Sequence, residues 1–272
     1  MKSEDEHMNI KSKLWLWGHG RQCDNLKDVE NPDLRGRPAI SKISLSEAAR
    51  YMGIPNICRI ALETVEAPPF DEEVETASDM EQIVWSVLGC GKLDARNDLD
   101  EVLRLASKYN NITGGIMDDF FPFANPEKTK KYTPEILRNF ANELHNTLSE
   151  KLDLWVVVYT KDLDYERLSE YLEQCDVITL WTWDVEDLDK FEDNYRKLRK
   201  ICPDKRILTG CYMWDFPNQC EIPLDVMKKQ LDFHYNMVKS GETDGIIFCH
   251  NYVVDLGLEA VEYTKKWIKD HM

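Results

Sequence analysis

The chain has 272 residues, of which 43% are hydrophobic and 10% aromatic, and 50 Asp and Glu against 34 Lys and Arg give a formal charge of −16 at pH 7. This composition supports a buried core and excludes a disordered or fibrous chain. So negative a surface repels phosphate backbones and anionic lipid, and no Lys/Arg-rich stripe opposes it locally, so neither nucleic acid nor a membrane is an expected partner.

Residues 1–12 read as a flexible polar segment, too polar for the core of an export signal. From residue 13 onward, short apolar, β-branched or aromatic runs alternate with longer segments of helical period. The runs are Lys13–Trp17, Ile57–Leu62, Gln82–Leu88, Ile112–Met117, Asp153–Tyr159, Asp176–Trp183, Arg206–Trp214 and Gly245–His250. They are nearly continuous in apolar character, as parallel strands covered on both faces are.

The segments between them carry apolar stripes at spacings of three and four. Ile136, Leu137, Phe140, Leu144 and Leu148 make one; Leu188, Phe191, Tyr195 and Leu198 another; Leu224, Met227, Leu231 and Val238 a third. Helix starts are marked by Ser44 and Ser46 before Glu47, by Thr133-Pro134-Glu135, by Asp184 before Glu186 and Asp187, and by Pro223. Only the second helix is missing: residues 64–80 hold two prolines and six acidic residues and read as loop. Eight strands and seven clear helices, the last over Leu258–Lys269, predict an α/β fold of the (β/α)₈ TIM-barrel class. Residues 13–272 make one barrel domain whose second helix is replaced by an acidic loop.

No apolar run approaches the roughly 20 residues of a membrane span. The eight cysteines lie far apart, several within strand-like runs, and no CxxC pair suggests zinc, so they read as reduced core residues. A cytoplasmic location is expected; the alternative is an exported protein from which a signal has been removed.

A barrel of this kind places its chemistry at the C-terminal ends of the strands. There the chain offers Trp17, His19 and Arg21; Glu63; Ser86 and Cys90; Asp118, Asp119 and Phe120; Tyr159 and Lys161; Trp181, Trp183 and Asp184; Tyr212, Trp214 and Asp215; and His250, Asn251 and Tyr252. Flat aromatic faces suit the C–H faces of sugar rings, while carboxylates, His and Asn bond to hydroxyls. Trp17, His19, Tyr159, Trp181, Trp183, Tyr212, Trp214, His250 and Asn251 are therefore expected to bind a carbohydrate or another small polyhydroxylated ligand. The bland alternative is that the large aromatics fill the barrel and its rim. The sharpest local signal is Gly114-Gly115-Ile116-Met117-Asp118-Asp119 at the fourth strand, where acids are expensive unless solvated, bonded or used. Side chains alternate along a strand, so one of the two aspartates is expected over the barrel mouth. A neighbouring carboxylate would raise the pKa of a working acid there.

Acids after strand four, Trp214-Asp215 after strand seven and tryptophans at strands one, six and seven resemble the TIM-barrel glycoside hydrolases. The resemblance covers the whole chain as architecture and implies Asp118 or Asp119 as acid/base, with Asp215 as second carboxylate. The chain lacks the Asn-Glu pair at strand four of the largest such clan and the DxxDxDxE strand of the chitinase-like barrels. Such hydrolysis needs two carboxyl groups about 5 Å apart for retention, or roughly 6.5 to 9.5 Å for inversion, and no cofactor. Glu63, at the end of strand two, is the substitute carboxylate. Asp184 reads as a helix N-cap, and Asp215 also sits in the turn chemistry of Phe216-Pro217-Asn218.

Two other functions compete. A metal-dependent sugar isomerase or epimerase would need Glu, Asp and His to converge on a cation, yet only His19 and His250 reach the mouth, and no HxH or HExxH spacing occurs. A carbohydrate-binding barrel without turnover would use the same aromatic rim. Carboxylates facing each other across the mouth favour hydrolysis, and one alone favours binding. Gly89-Cys90-Gly91-Lys92 and Gly18-His19-Gly20 lack the full forms of phosphate loops. Arg21, Lys27, Arg35, Arg37 and Lys42 in the first loop are expected either to pair with the acidic second loop or to remain solvated.

Overall fold

The computed structural model describes residues 10–20, 34–61, 68–90 and 93–271. Its eight strands are β1 (Leu14–Gly18), β2 (Asn56–Arg59), β3 (Gln82–Leu88), β4 (Ile112–Met117), β5 (Asp153–Tyr159), β6 (Val177–Trp181), β7 (Arg206–Tyr212) and β8 (Gly245–Cys249). They are parallel and close in sequence order, β8 returning to β1 with Trp17 opposite Cys249. Helices α1 (Leu45–Met52), α2 (Asp71–Thr76), α3 (Arg96–Ala106), α4 (Pro126–Lys131), α5 (Pro134–Asn146), α6 (Leu168–Leu172), α7 (Phe191–Ile201), α8 (Leu224–Ser240) and α9 (Glu259–His271) lie between and after the strands. This is the (β/α)₈ barrel that the strand count predicts. Strands β3, β4 and β5 match their expected bounds, whereas β2 is shorter and already ends at Arg59.

Local signals set most helix starts. Ser44 and Glu47 form a reciprocal capping box on α1, and Thr133 caps α5 with Pro134 at its first position. Asp184 differs from expectation. It accepts no capping bond in the short 3₁₀ turn Val185–Lys190, and its carboxylate pairs with Lys161. Ile10, placed by sequence in the flexible leading segment, is buried in the outer core. Among the described residues no helix is long and apolar enough to cross a membrane, and seven cysteines are free thiols.

The acidic stretch after strand two holds a helix after all. α2 spans six residues, opens with Asp71, Glu72 and Glu73, and buries Val74. Acids suit the positive end of a helix, but so short a helix is marginal on its own. Its partners lie elsewhere in the chain. Arg59 is 1% exposed, donates to Glu73 from Nε at 3.0 Å and from Nη2 at 2.8 Å, and sits 4.8 Å from the ring centroids of both Phe70 and Trp85. Arg104 of α3 and Lys108, two residues past its end, reach Asp71 at 2.5 and 2.7 Å.

Strand alternation divides two cores. Leu14, Leu16, Ile83, Trp85, Val87 and Met117 pack outward under the helices. Trp15, Trp17, Cys58, Val84, Ile116, Trp155, Val157, Tyr159, Trp181, Leu208, Ile247 and Cys249 fill the barrel itself. Four indoles inside one barrel need room, and glycines supply it. A β-carbon on Gly210 would stand 2.0 Å from the Trp181 ring, and one on Gly114 would stand 2.6 Å from Asp153 O. Gly210→Ala is therefore expected to lower stability by about 1–3 kcal/mol through overpacking. A denaturant midpoint unchanged from wild type would refute that packing.

His234 on α8 is buried, with Nδ1 2.9 Å from Thr209 Oγ1 on β7, and burial pushes its pKa down to about 4. The unfolded chain binds that proton near pH 6.5. Its contribution to stability is thus present above about pH 6.5 and lost as the pH falls toward 4. In His234→Gln, urea midpoints are expected to fall less steeply across that window than in wild type. Parallel slopes would sink the assignment.

Candidate functional site

The strand-four acids project from the end of β4, where Asp118 N donates to Leu88 O at 2.8 Å. Ile116 faces the barrel and Met117 the helices, so the next residue in the alternation, Asp118, turns inward. Alternation would send Asp119 away. Instead Asp119 takes a left-handed backbone, φ 46°, which aspartate tolerates better than most residues, and Asp118 Oδ1 accepts its N–H at 2.8 Å. Both carboxyls therefore end on one side of the mouth, where sequence alternation predicts one. Asp119 Oδ1 accepts from the Tyr159 hydroxyl at 2.9 Å, and the Cys90 thiol is in hydrogen-bonding contact with Asp119.

Asp118 is 6% exposed. Burial, reinforced by the charge of Asp119, pushes its pKa well above the ordinary carboxylate range, while Lys128 opposes that rise. Tyr159 and Tyr212, in hydrogen-bonding contact with each other, are pushed up mainly by burial. Beside them Asp162 accepts from Phe123 N at 2.8 Å and Tyr159 N at 3.4 Å, tying the loop after β4 to the end of β5. Burial raises the pKa of Asp162 to about 6.

The aromatic residues fall into two tiers. Trp17 and Trp181, 6% and 2% exposed with ring centroids 5.2 Å apart, fill the barrel and form the floor of the site. The Trp181 indole N–H is satisfied within its own strand by Thr179 Oγ1 at 2.9 Å. Above them Trp183 is half-buried, edge-on to Tyr159 and Tyr212 and stacked on Phe216 at 5.8 Å, and Phe216 in turn stacks on His250 at 5.1 Å. Phe123 stands exposed against Tyr159, with the Lys161 ammonium 4.7 Å from its ring centroid. This upper tier leaves aromatic rings partly exposed at the mouth.

Several expected site residues are committed elsewhere. Trp214 belongs to the outer core, because β7 ends at Tyr212 and strand alternation ends with it. Asp215 accepts from Asn218 N and from Asn218 Nδ2, both at 3.0 Å, so each of its oxygens is used in the turn that the Asp215–Cys220 bridge closes. The Asn251 amide accepts from His19 N at 3.2 Å and donates to His19 O at 3.3 Å, fastening the end of β8 to that of β1. His19 Nδ1 donates to Ile60 O at 3.0 Å. His250 Nδ1 accepts from Tyr252 N at 3.0 Å, and burial, aided by His19, Arg37 and Arg35, holds the ring neutral. Glu63, Arg21 and Lys27 lie outside the described residues, as does any pairing of the first loop with the second through them.

Cys90, Asp118 and Asp119 bring their donor atoms within 4.8 Å of one another, the grouping with metal-ligand spacing among the described residues. No described histidine joins it, and the charge of Lys128 acts on the same Asp118 carboxyl. The sequence reading missed Lys128, Phe123, Phe216 and Asp162. Phe216 stood in a recognised turn motif, while Lys128 is one cation in the charged run Pro126–Lys131, with nothing to mark it as buried.

No family model matches the chain, and no curated protein matches it. Solved structures do share its fold. YKL-39, solved in the presence of chitooligosaccharides, superposes with a TM-score of 0.61 at 9% identity over 94% of this chain and 99% of its own. The active domain 2 of a thermostable chitinase from Pyrococcus furiosus, complexed with chito-oligosaccharides, gives 0.58 at 12% identity over 96% of both chains. The Bacillus cereus spore cortex-lytic enzyme SleL gives 0.58 at 10% identity over 94% of this chain and 74% of its own. At these identities the likeness is one of fold.

Proposed function

We propose that the chain is a carbohydrate-active barrel that cleaves a glycosidic bond, with the strand-four pair as its acid. The observation that carries this reading is the buried Asp118 beside a half-exposed Asp119 that is bonded to Tyr159, beneath the partly exposed rings of Trp183, Tyr212 and Phe216. A carboxyl kept protonated by burial and a like neighbour is suited to donating a proton to a leaving oxygen. Asp119 is the member that meets the glycosidic oxygen, and Asp118 shares and restores the proton.

The position of the pair also bears on the substrate. Both acids lie on one side of the mouth, and Asp215 has both oxygens engaged by Asn218, which argues against the strand-seven carboxylate as partner. Glu63 lies outside the described residues, so the strand-four pair is the acid group on which the reading is built; glycosidases without an opposed carboxylate can use a nucleophile carried by the substrate. An N-acetylhexosamine glycoside, whose acetamido oxygen sits beside the anomeric carbon, supplies one. The chito-oligosaccharides named with two of the fold neighbours are ligands of that class.

The test is a screen of chito-oligosaccharides and aryl glycosides with and without the N-acetyl group. Turnover confined to the N-acetylated substrates, and insensitive to EDTA, is the expected result. Turnover only of substrates without the acetamido group would overturn the assisted reading. Retention of chito-oligosaccharides without any turnover would favour a binding barrel, a second reading that the one-sided acid pair also fits.

A further inference from the structure

Beneath the acid pair lies a lysine with no exposed surface. Lys128, near the middle of α4, is 0% exposed, and its Nζ donates to Gly89 O at 2.8 Å and to Asp118 O at 2.6 Å. Those two carbonyls lie one residue past β3 and β4, so one ammonium bridges the backbones from which Cys90, Asp118 and Asp119 project. Burying an ammonium is costly unless its donors are satisfied and its charge is used. The charge of Lys128 also acts on the Asp118 carboxyl, whose pKa it lowers against the rise that burial and Asp119 impose.

We propose that Lys128 is the positioning residue of the strand-four acids: from below, its ammonium fixes the two strand ends that carry them and supplies the positive charge against which the pair ionises. The inference rests on the reading of that pair as the acid of the site, but not on any particular substrate. Its electrostatic side is consistent with the surroundings. Among the described residues, Asp118 is faced by Asp119 from its own loop, Cys90 after β3, Lys128 on α4, Tyr159 on β5, Tyr212 on β7 and Cys249 on β8, and Lys128 is the cation of that group. Without it, a second negative charge in the pair would lose the cation that lowers the Asp118 pKa. With it, the pair can lose a proton to a leaving group and take it back.

The experiment follows the Asp118 carboxyl by carbon-13 NMR in the full chain, comparing wild type with Lys128→Met and Lys128→Arg. Lys128→Met keeps the length and apolar stem but removes the charge, and Asp118 is expected to titrate at least about one pH unit higher, a roughly tenfold rise in proton affinity. Lys128→Arg keeps the charge and is expected to leave that midpoint within about 0.5 unit of wild type, at most a roughly threefold change in proton affinity. A folded Lys128→Met with an unchanged midpoint would overturn the proposal. Should Lys128→Met fail to fold, wild type still decides: the Lys128 ammonium nitrogen resonance is expected to move as Asp118 titrates, and a resonance that does not respond rejects the coupling. If wild type turns over none of the glycosides, the function is wrong, yet the carboxyl titration still reads the role of Lys128.

Discussion

Asp119→Asn is expected to reduce kcat on an N-acetylhexosaminide by about 10²–10⁴-fold, the usual contribution of a positioned general acid. The amide keeps the size of the side chain and can still accept from Tyr159, so KM is expected to change little. Asp118→Asn removes the proton store instead of the donor itself. Its activity is expected to fall on the same scale and to lose the alkaline limb of the pH profile that the raised Asp118 pKa imposes. The sign follows from that shift: wild type keeps the proton, and so its activity, up to the elevated pKa and loses it above. Asp215→Asn, which can preserve the bond from Asn218 N, is expected to stay within about tenfold of wild type, less than a general acid contributes. Loss of turnover in Asp215→Asn with full activity in Asp119→Asn would transfer the acid role to strand seven. Steady-state kinetics on the three variants decide between these outcomes.

Arg59→Ala carries the largest expected cost in stability, about 3 kcal/mol. Removing one partner of a buried ion pair costs roughly 3–5 kcal/mol, and the lower end applies because the Glu73 side chain, 30% exposed, can rehydrate. The loss has two further sources: the guanidinium leaves the faces of Phe70 and Trp85, and its volume is left empty between them. Arg59→Lys keeps the charge but neither the planar stack nor the two-pronged bond to Glu73, so a smaller loss of the same sign is expected. Because Arg59 fastens α2 to the barrel, hydrogen exchange should accelerate first over residues 70–76. An unfolding free energy within about 0.5 kcal/mol of wild type, the range of ordinary surface changes, would show that the clamp contributes little.

β3, β4 and β5 could be read to the residue because each is a run with both faces covered, and that demand is written into consecutive side chains. The capping box at Ser44 and the Thr133-Pro134 start were legible for a similar reason, since both partners lie within one turn. α2 was not legible. What holds it is Arg59, 14 residues before Glu73, and Arg104, 33 residues after Asp71. The candidate site divides in the same way. Alternation predicted one aspartate over the mouth without choosing between Asp118 and Asp119, whereas Trp214 was misplaced by extending alternation past the end of β7, and Asp215 and Asn251 were offered to the site although their polar atoms bond to the chain itself.

The sequence by itself determined the barrel, the end at which its polar and aromatic residues gather, and the acid-rich end of the fourth strand, because each follows from the spacing of side chains along one element. Tertiary structure alone decided that both aspartates share one side through the left-handed turn at Asp119, that Tyr159 holds one of them, and that an ammonium from α4 lies beneath. Those are contacts between elements far apart in the chain. Their physical currency is desolvation and charge, which exist only once the barrel has closed and water has left the mouth.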